Sequence, residues 1–216
     1  MALEVVEKTN DSQWTLMKKL WRNKNFIGNA VIFTIYWGMC NSMAVILDPM
    51  FEPGDYSTSA LSLIGIVWLI GGVSAMIGCG IILDRTKAFV KTNRIISALL
   101  TLLICGAPFI IPTGSVMLAC IWVCCIGFFM FPSFPSCIAF NVRLTHPIPC
   151  DVANGLMMSA SYIYSSVWAL VGASIFYYSF VIGVACLLAS SIVALIAALL
   201  INDPGPKFYD SKIGDS

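Results

Sequence analysis

Charge is what this chain has least of. Only 11% of its 216 residues are Asp, Glu, Lys or Arg, and it holds a single histidine, His146. A soluble domain carries about a quarter of its residues charged, so a solvated surface cannot be built from this inventory. With 59% of residues hydrophobic, most of the chain must face lipid or other helices. No basic groove or stripe runs along it, which leaves nucleic-acid binding unsupported. None of the nine cysteines forms a metal-ligand pair with the histidine. All but Cys150 lie inside or at the ends of apolar runs, where cysteine reads as a small packing residue. No cofactor and no metal are implied. A secretory signal is also missing: the first 25 residues hold Glu4, Glu7 and Asp11 and no early apolar run.

What the chain does have is long apolar stretches. A membrane-spanning helix needs roughly 20 mainly apolar residues, and six such stretches are expected, near 26–47, 60–83, 95–111, 115–134 or further, 152–175 and 180–201. The last two run almost together, with a weakly marked reversal near Phe176-Tyr177-Tyr178. At about 50 residues they are far too long for one crossing, so a hairpin is required. The expected organisation is an N-terminal segment over 1–25, a six-helix domain over 26–201 and a tail over 202–216.

The basic residues orient this bundle. Lys8, Lys18, Lys19, Arg22 and Lys24 precede the first span, while Arg85, Lys87, Lys91 and Arg94 lie between the second and third. Arg143 lies between the fourth and fifth, and Lys207 and Lys212 follow the sixth. The alternate loops hold no Lys or Arg at all, which is the positive-inside pattern of a protein with both termini in the cytoplasm. His146 then falls in a cytoplasmic loop, solvated. Residues 14–24 place Trp14, Met17 and Trp21 at helical spacing among Lys18, Lys19, Arg22 and Lys24. They read either as an interfacial helix with cations near anionic lipid or as a plain basic flank. In the second span Ser74 and Gly78 have the four-residue spacing at which membrane helices approach closely. Pro132 and Pro135 remove backbone donors near the end of the fourth span, as a hinge or a helix end.

One motif carries more than topology. The second span ends Gly80-Ile-Ile-Leu-Asp84-Arg85-Thr-Lys87, which resembles the cytoplasmic loop signature of the major facilitator superfamily. The trailing Gly and Arg pair of the full pattern is missing. A carboxylate at the membrane edge suits the positive end of a neighbouring helix, and a guanidinium beside it suits an acid on another. Over nearly the whole chain the order of features is similar to the C-terminal six-helix half of the feline leukaemia virus subgroup C receptor family, a branch of that superfamily linked to choline and haem transport. The residues are Asn23-Lys24-Asn25-Phe26, the Gly80 to Lys87 stretch, Gly127-Phe128-Phe129-Met130, Pro135, Phe140, Leu144-Thr145-His146-Pro147 and Gly155-Leu156. Departures fall where the family meets its solute. Ala139 and Arg143 stand where the family has two Glu, Tyr162 where it has a Gln, and Cys40 or Asn41 where it has a pocket Tyr.

The resemblance implies an all-α integral membrane fold, six transmembrane helices forming one half of a major-facilitator-type bundle. It implies alternating-access transport of a small organic solute, choline- or haem-like, with Gly80, Asp84, Arg85 and Lys87 as a cytoplasmic gate motif. It also implies the plasma membrane. No Asp, Glu, Lys or Arg is expected in mid-span, which argues against a proton relay and leaves aromatic faces to hold a cation. The expected solute-binding set is Tyr36, Trp37, Asn41, Tyr162 and Tyr164, with Ser165 and Trp168 beside them. The expected partners are the lipid bilayer, the solute and a second six-helix half, supplied by the same chain or by a homo- or hetero-partner. The competing expectation is a non-transporting accessory subunit or degenerate half-transporter. No paired acids, metal cluster or nucleophile set lies at membrane depth, so an enzyme is not expected.

Overall fold

In a computed structural model, residues 18, 20–145 and 150–202 are described. Trp14, Met17, Lys19, His146 and the tail from 203 onward lie outside them. The described residues hold six helices long and apolar enough to cross a membrane: Lys24–Gly54, Thr58–Thr86, Phe89–Thr113, Val116–Thr145, Cys150–Tyr178 and Phe180–Leu200. The protein is thus an integral, multi-pass membrane protein.

Local chemistry sets where these helices start and stop. The Asn23 side chain accepts from the backbone N–H groups of Asn25 and Phe26, capping the first span. Ser57 caps the second by accepting from Ala60. The second span ends where Lys87 enters the left-handed region at φ 53° and its N–H closes on the Leu83 carbonyl. Gly114, at φ 65°, makes the tight reversal before the fourth span, in the gap expected between 111 and 115. The reversal between the fifth and sixth spans is a single extended residue, Ser179.

The fourth span runs past 134, the end the sequence left open, to Thr145. Its helix pauses at Phe131 and Pro132 and resumes over Ser133–Thr145. Proline removes donors there, and local bonds repair the loss: the Ser133 hydroxyl donates to the Met130 carbonyl and the Phe134 N–H to the Phe131 carbonyl. The prolines therefore mark a break inside the span rather than its end. A second irregularity is a π-helical turn over Trp168–Gly172 in the fifth span, with the Trp168 ring folded against Gly172.

The packing has an internal symmetry. The first span packs on the fifth and sixth, and the fourth packs on the second and third. The first also meets the fourth, and the third meets the sixth. Exchanging the first three spans with the last three leaves these principal contacts unchanged. Equivalent spans run in opposite directions, the arrangement of an inverted repeat.

Glycine permits the closest approaches. A Cβ on Gly127 would lie 2.5 Å from the Trp68 carbonyl, and one on Gly71 would lie 2.7 Å from Cys124 Sγ. Gly72 receives the Phe131 ring. The expected contact through Ser74 and Gly78 is not made within these six spans, since a Cβ on Gly78 would meet nothing within 4 Å.

Several buried polar groups are paired across spans, as a low-dielectric interior favours. Asn29 donates to the Cys137 carbonyl at 2.9 Å, Ser136 to Asn93 at 2.6 Å, and Asn141 to Asn154 at 2.6 Å. Arg94 reaches three carbonyls at the end of the sixth span: Ala198 at 3.1 Å, Leu199 at 3.3 Å and Ile201 at 2.7 Å. Asn25 and Asn202 close the same corner with reciprocal bonds at 3.2 and 3.1 Å. Arg94 thus satisfies carbonyls that a helix C-terminus leaves open, beyond the topological role its charge suggests.

Candidate functional site

Between residues 32 and 50 the first span is buried except at Thr34, Trp37, Asn41, Ala44, Val45, Leu47 and Asp48. Apart from Leu47, which packs near Gly65 of the second span, these residues recur every three or four positions. They form one open strip along the most enclosed helix of the bundle. A strip facing only lipid has no reason to carry Thr, Asn and Asp.

The strip is backed by aromatic rings. Trp37 lies 4.4 Å from Phe134, centroid to centroid, and 6.4 Å from both Phe33 and Phe131. Phe131 stands edge-on to Trp68 at 5.1 Å. The ladder therefore joins the first, second and fourth spans at the fourth span's break. The break sets its geometry, because Phe131 and Phe134 flank it. The indole N–H groups of Trp37 and Trp68 are buried without an acceptor. Unpaired buried donors are costly, and such a group in a native fold calls for an explanation such as a bound molecule. One turn along, Asn41 is exposed and donates to the Trp37 carbonyl at 2.8 Å.

The other expected site residues are dispersed. Tyr36 is fully buried, its hydroxyl among those of Ser97, Thr101 and Ser191 on the third and sixth spans. Neighbours in sequence on a helix point about 100° apart, so Tyr36 and Trp37 face different environments. Tyr164 packs its ring on Gly38 of the first span, and its hydroxyl is buried. Ser165 and Trp168 lie on the buried stripe of the fifth span, with Met157 and Ser161. Tyr162 is 56% exposed and shares an outward face of the fifth span with Ser159 and Ser166. No contact among the described residues joins Tyr162 to Trp37 or Asn41.

The motif at the end of the second span lies apart from this strip. Asp84 and Arg85 are exposed, and Lys87 is the helix cap. Among the described residues Asp84 and Arg85 form no ion pair. A Cβ on Gly80 would meet nothing within 4 Å, so the motif's outward surface is open. Arg143 reaches back to the Phe89 ring, 4.6 Å from its centroid. The sequence did not single out Phe131 and Phe134 as partners of Trp37, or Trp68 as the partner of Phe131; the signal for the first two was aromatics beside Pro132 and Pro135.

Six apolar spans with inverted-repeat packing and one open polar-aromatic strip agree with the relatives found by comparison. The chain is 24% identical over 157 residues to solute carrier family 49 member A3 of Danio rerio, covering 71% of this chain and 33% of that protein. It is 24% identical over 160 residues to an MFS-type transporter of Caenorhabditis elegans, covering 73% of this chain and 27% of that protein. It is 26% identical over 157 residues to the choline/ethanolamine transporter FLVCR1 of Felis catus, covering 71% of this chain and 28% of that protein. This chain is similar to major-facilitator-type transporters. It resembles one FLVCR-like half of such a transporter, and it spans a third or less of the length of these three relatives. No protein-family model matches it.

Proposed function

We propose that the chain is the C-terminal half of an alternating-access transporter for a small organic cation of the choline or ethanolamine type. The open strip of Thr34, Trp37 and Asn41 along the most enclosed helix carries this reading. An aromatic face attracts quaternary ammonium groups, and the amide beside it offers an oxygen to a hydroxyl or N–H donor. The chemistry suits the solutes in the names of the FLVCR relatives. The strip and the Tyr162 face of the fifth span would look toward a second six-helix half, with the solute held between the halves near the bilayer midplane. Asp84 and Arg85 would stabilise the state closed to the cytoplasm by pairing across the halves. Tyr36 and Tyr164 support the strip from behind, and the expected solute-contact set narrows to Trp37, Asn41 and Tyr162. Both termini are assigned to the cytoplasm by the distribution of Lys and Arg, and the plasma membrane is assigned by resemblance.

The test is uptake of labelled choline and ethanolamine into vesicles holding the chain together with a relative's N-terminal half. The expected result is saturable uptake that Trp37→Ala abolishes and Trp37→Phe partly retains. Uptake of both solutes that is indifferent to Trp37→Ala, Asn41→Leu and Tyr162→Ala would refute the assignment.

A further inference from the structure

Far from Asn41, where the first span begins, a groove opens toward the fifth and sixth spans. Its deeper part, of about 170 Å³, is walled by Ile27, Ala30, Val31, Thr34, Leu156 and Ala160, with the Trp21 ring at its rim. Beside it, against the sixth span, a cleft of about 630 Å³ shares Ile27 and Val31 and reaches Lys24 and Asn202 at the helix ends. The groove is thus apolar along the span and cationic at its mouth. No acidic side chain lines either part.

We propose that this groove binds one anionic phospholipid, its phosphate at Lys24 and one acyl chain along Ile27 and Val31. The wall from Lys24 to Val31 runs seven residues along a helix, about 10 Å at 1.5 Å per residue, deep enough to hold the upper part of a chain. Water is a poor occupant, since apolar cavities stay dry. The Trp21 indole is 57% exposed at the same level as Lys24, and Trp is enriched at the headgroup interface. Lys18 and Arg22 are exposed on the turn before the span and add positive potential toward an anionic surface. Here an apolar slot meets a cation at a span end. The ligand is therefore a lipid with a negative headgroup rather than a free phosphate or a zwitterionic lipid.

The experiment is native mass spectrometry of the full chain in detergent, with added phosphatidylserine or phosphatidylcholine. One retained phosphatidylserine per chain is expected, at several-fold higher occupancy than phosphatidylcholine. Lys24→Gln should lower that occupancy about fivefold, the effect of one cation near an anionic surface. Ala30→Trp should remove it by filling the slot, and Val31→Phe serves the same purpose if Ala30→Trp does not fold. Equal retention of the two lipids, or retention unchanged in Lys24→Gln and in the folded slot-filling variant, overturns the proposal. So does competition by glycerophosphoserine as strong as that by the intact lipid, because a headgroup alone would then suffice. Retention that appears only after residues 203–216 are removed assigns the groove to the chain's own tail and also overturns it.

Discussion

Replacing Gly127 by Ala tests whether the second and fourth spans are in backbone contact. An added Cβ would sit 2.5 Å from the Trp68 carbonyl oxygen and 2.8 Å from Trp68 Cδ1, while ordinary contact begins at 3.4 Å. The carbonyl belongs to the second span's backbone and cannot rotate away, so the two helices must part by up to 0.9 Å. Overpacking of this kind costs about 1–3 kcal/mol. Alanine's higher helix propensity returns about 1 kcal/mol at most. The expected net loss is about 0–2 kcal/mol, with a further cost from disturbing the Trp68–Phe131 contact. Gly78→Ala is the internal control, because nothing lies within 4 Å of its added Cβ. It should be neutral or stabilising by up to about 1 kcal/mol. Thermal unfolding in detergent, followed with a thiol-reactive fluorophore, reads both, since Cys40 and Cys137 are free and buried until the helices separate. A Gly127→Ala melting temperature equal to or above that of Gly78→Ala would refute the packing argument. If Gly78→Ala melts normally but loses uptake, the open glycine face meets the second half.

Arg94→Met removes three bonds to the carbonyls of Ala198, Leu199 and Ile201. These are partly solvated, so a loss of about 1–3 kcal/mol is expected, read in the same melt; an unchanged midpoint would count against the cap. Arg94→Lys should recover only part of it, because an ammonium cannot match the planar fork. In the transport assay Asp84→Asn and Arg85→Ala should each alter uptake with melting temperature unchanged; unaltered uptake in both removes the gate assignment. Thiol labelling of the folded protein should modify Cys105, which is exposed, well before Cys137, which is buried. The reverse order would contradict the orientation of the third and fourth spans.

The six spans were legible because about 20 apolar residues have few other fates, and composition alone locates them. The reversal at Ser179 was not legible, since one serine between Tyr178 and Phe180 gives no polar punctuation. The Tyr177-Tyr178 pair, expected to lie in the reversal, instead ends the helix before it. Pro132 and Pro135 left hinge and helix end open, because repair of the break depends on the Ser133 hydroxyl finding the Met130 carbonyl in three dimensions. The site was half legible. Residue type selected Tyr36, Trp37 and Tyr164 alike, yet only rotation about a helix decides which ring faces outward, and flanking spans fix that rotation. Gly38 was invisible as the seat of Tyr164 for the same reason.

The reversal at Ser179 has a further consequence for how the molecule presents itself. On the face opposite the N-terminal end of the first span, the connections are Glu52–Gly54 with the few residues after it, Ile111–Thr113 with Gly114, and Ser179 alone. The first two are tied together by the Tyr56 hydroxyl donating to the Ile111 carbonyl. That face therefore offers an antibody or protease almost no loop to grip, and an inserted tag at Ser179 would splay two whole membrane helices. The stretch around Glu52 to Ser57 is the natural handle for labelling this side of the protein.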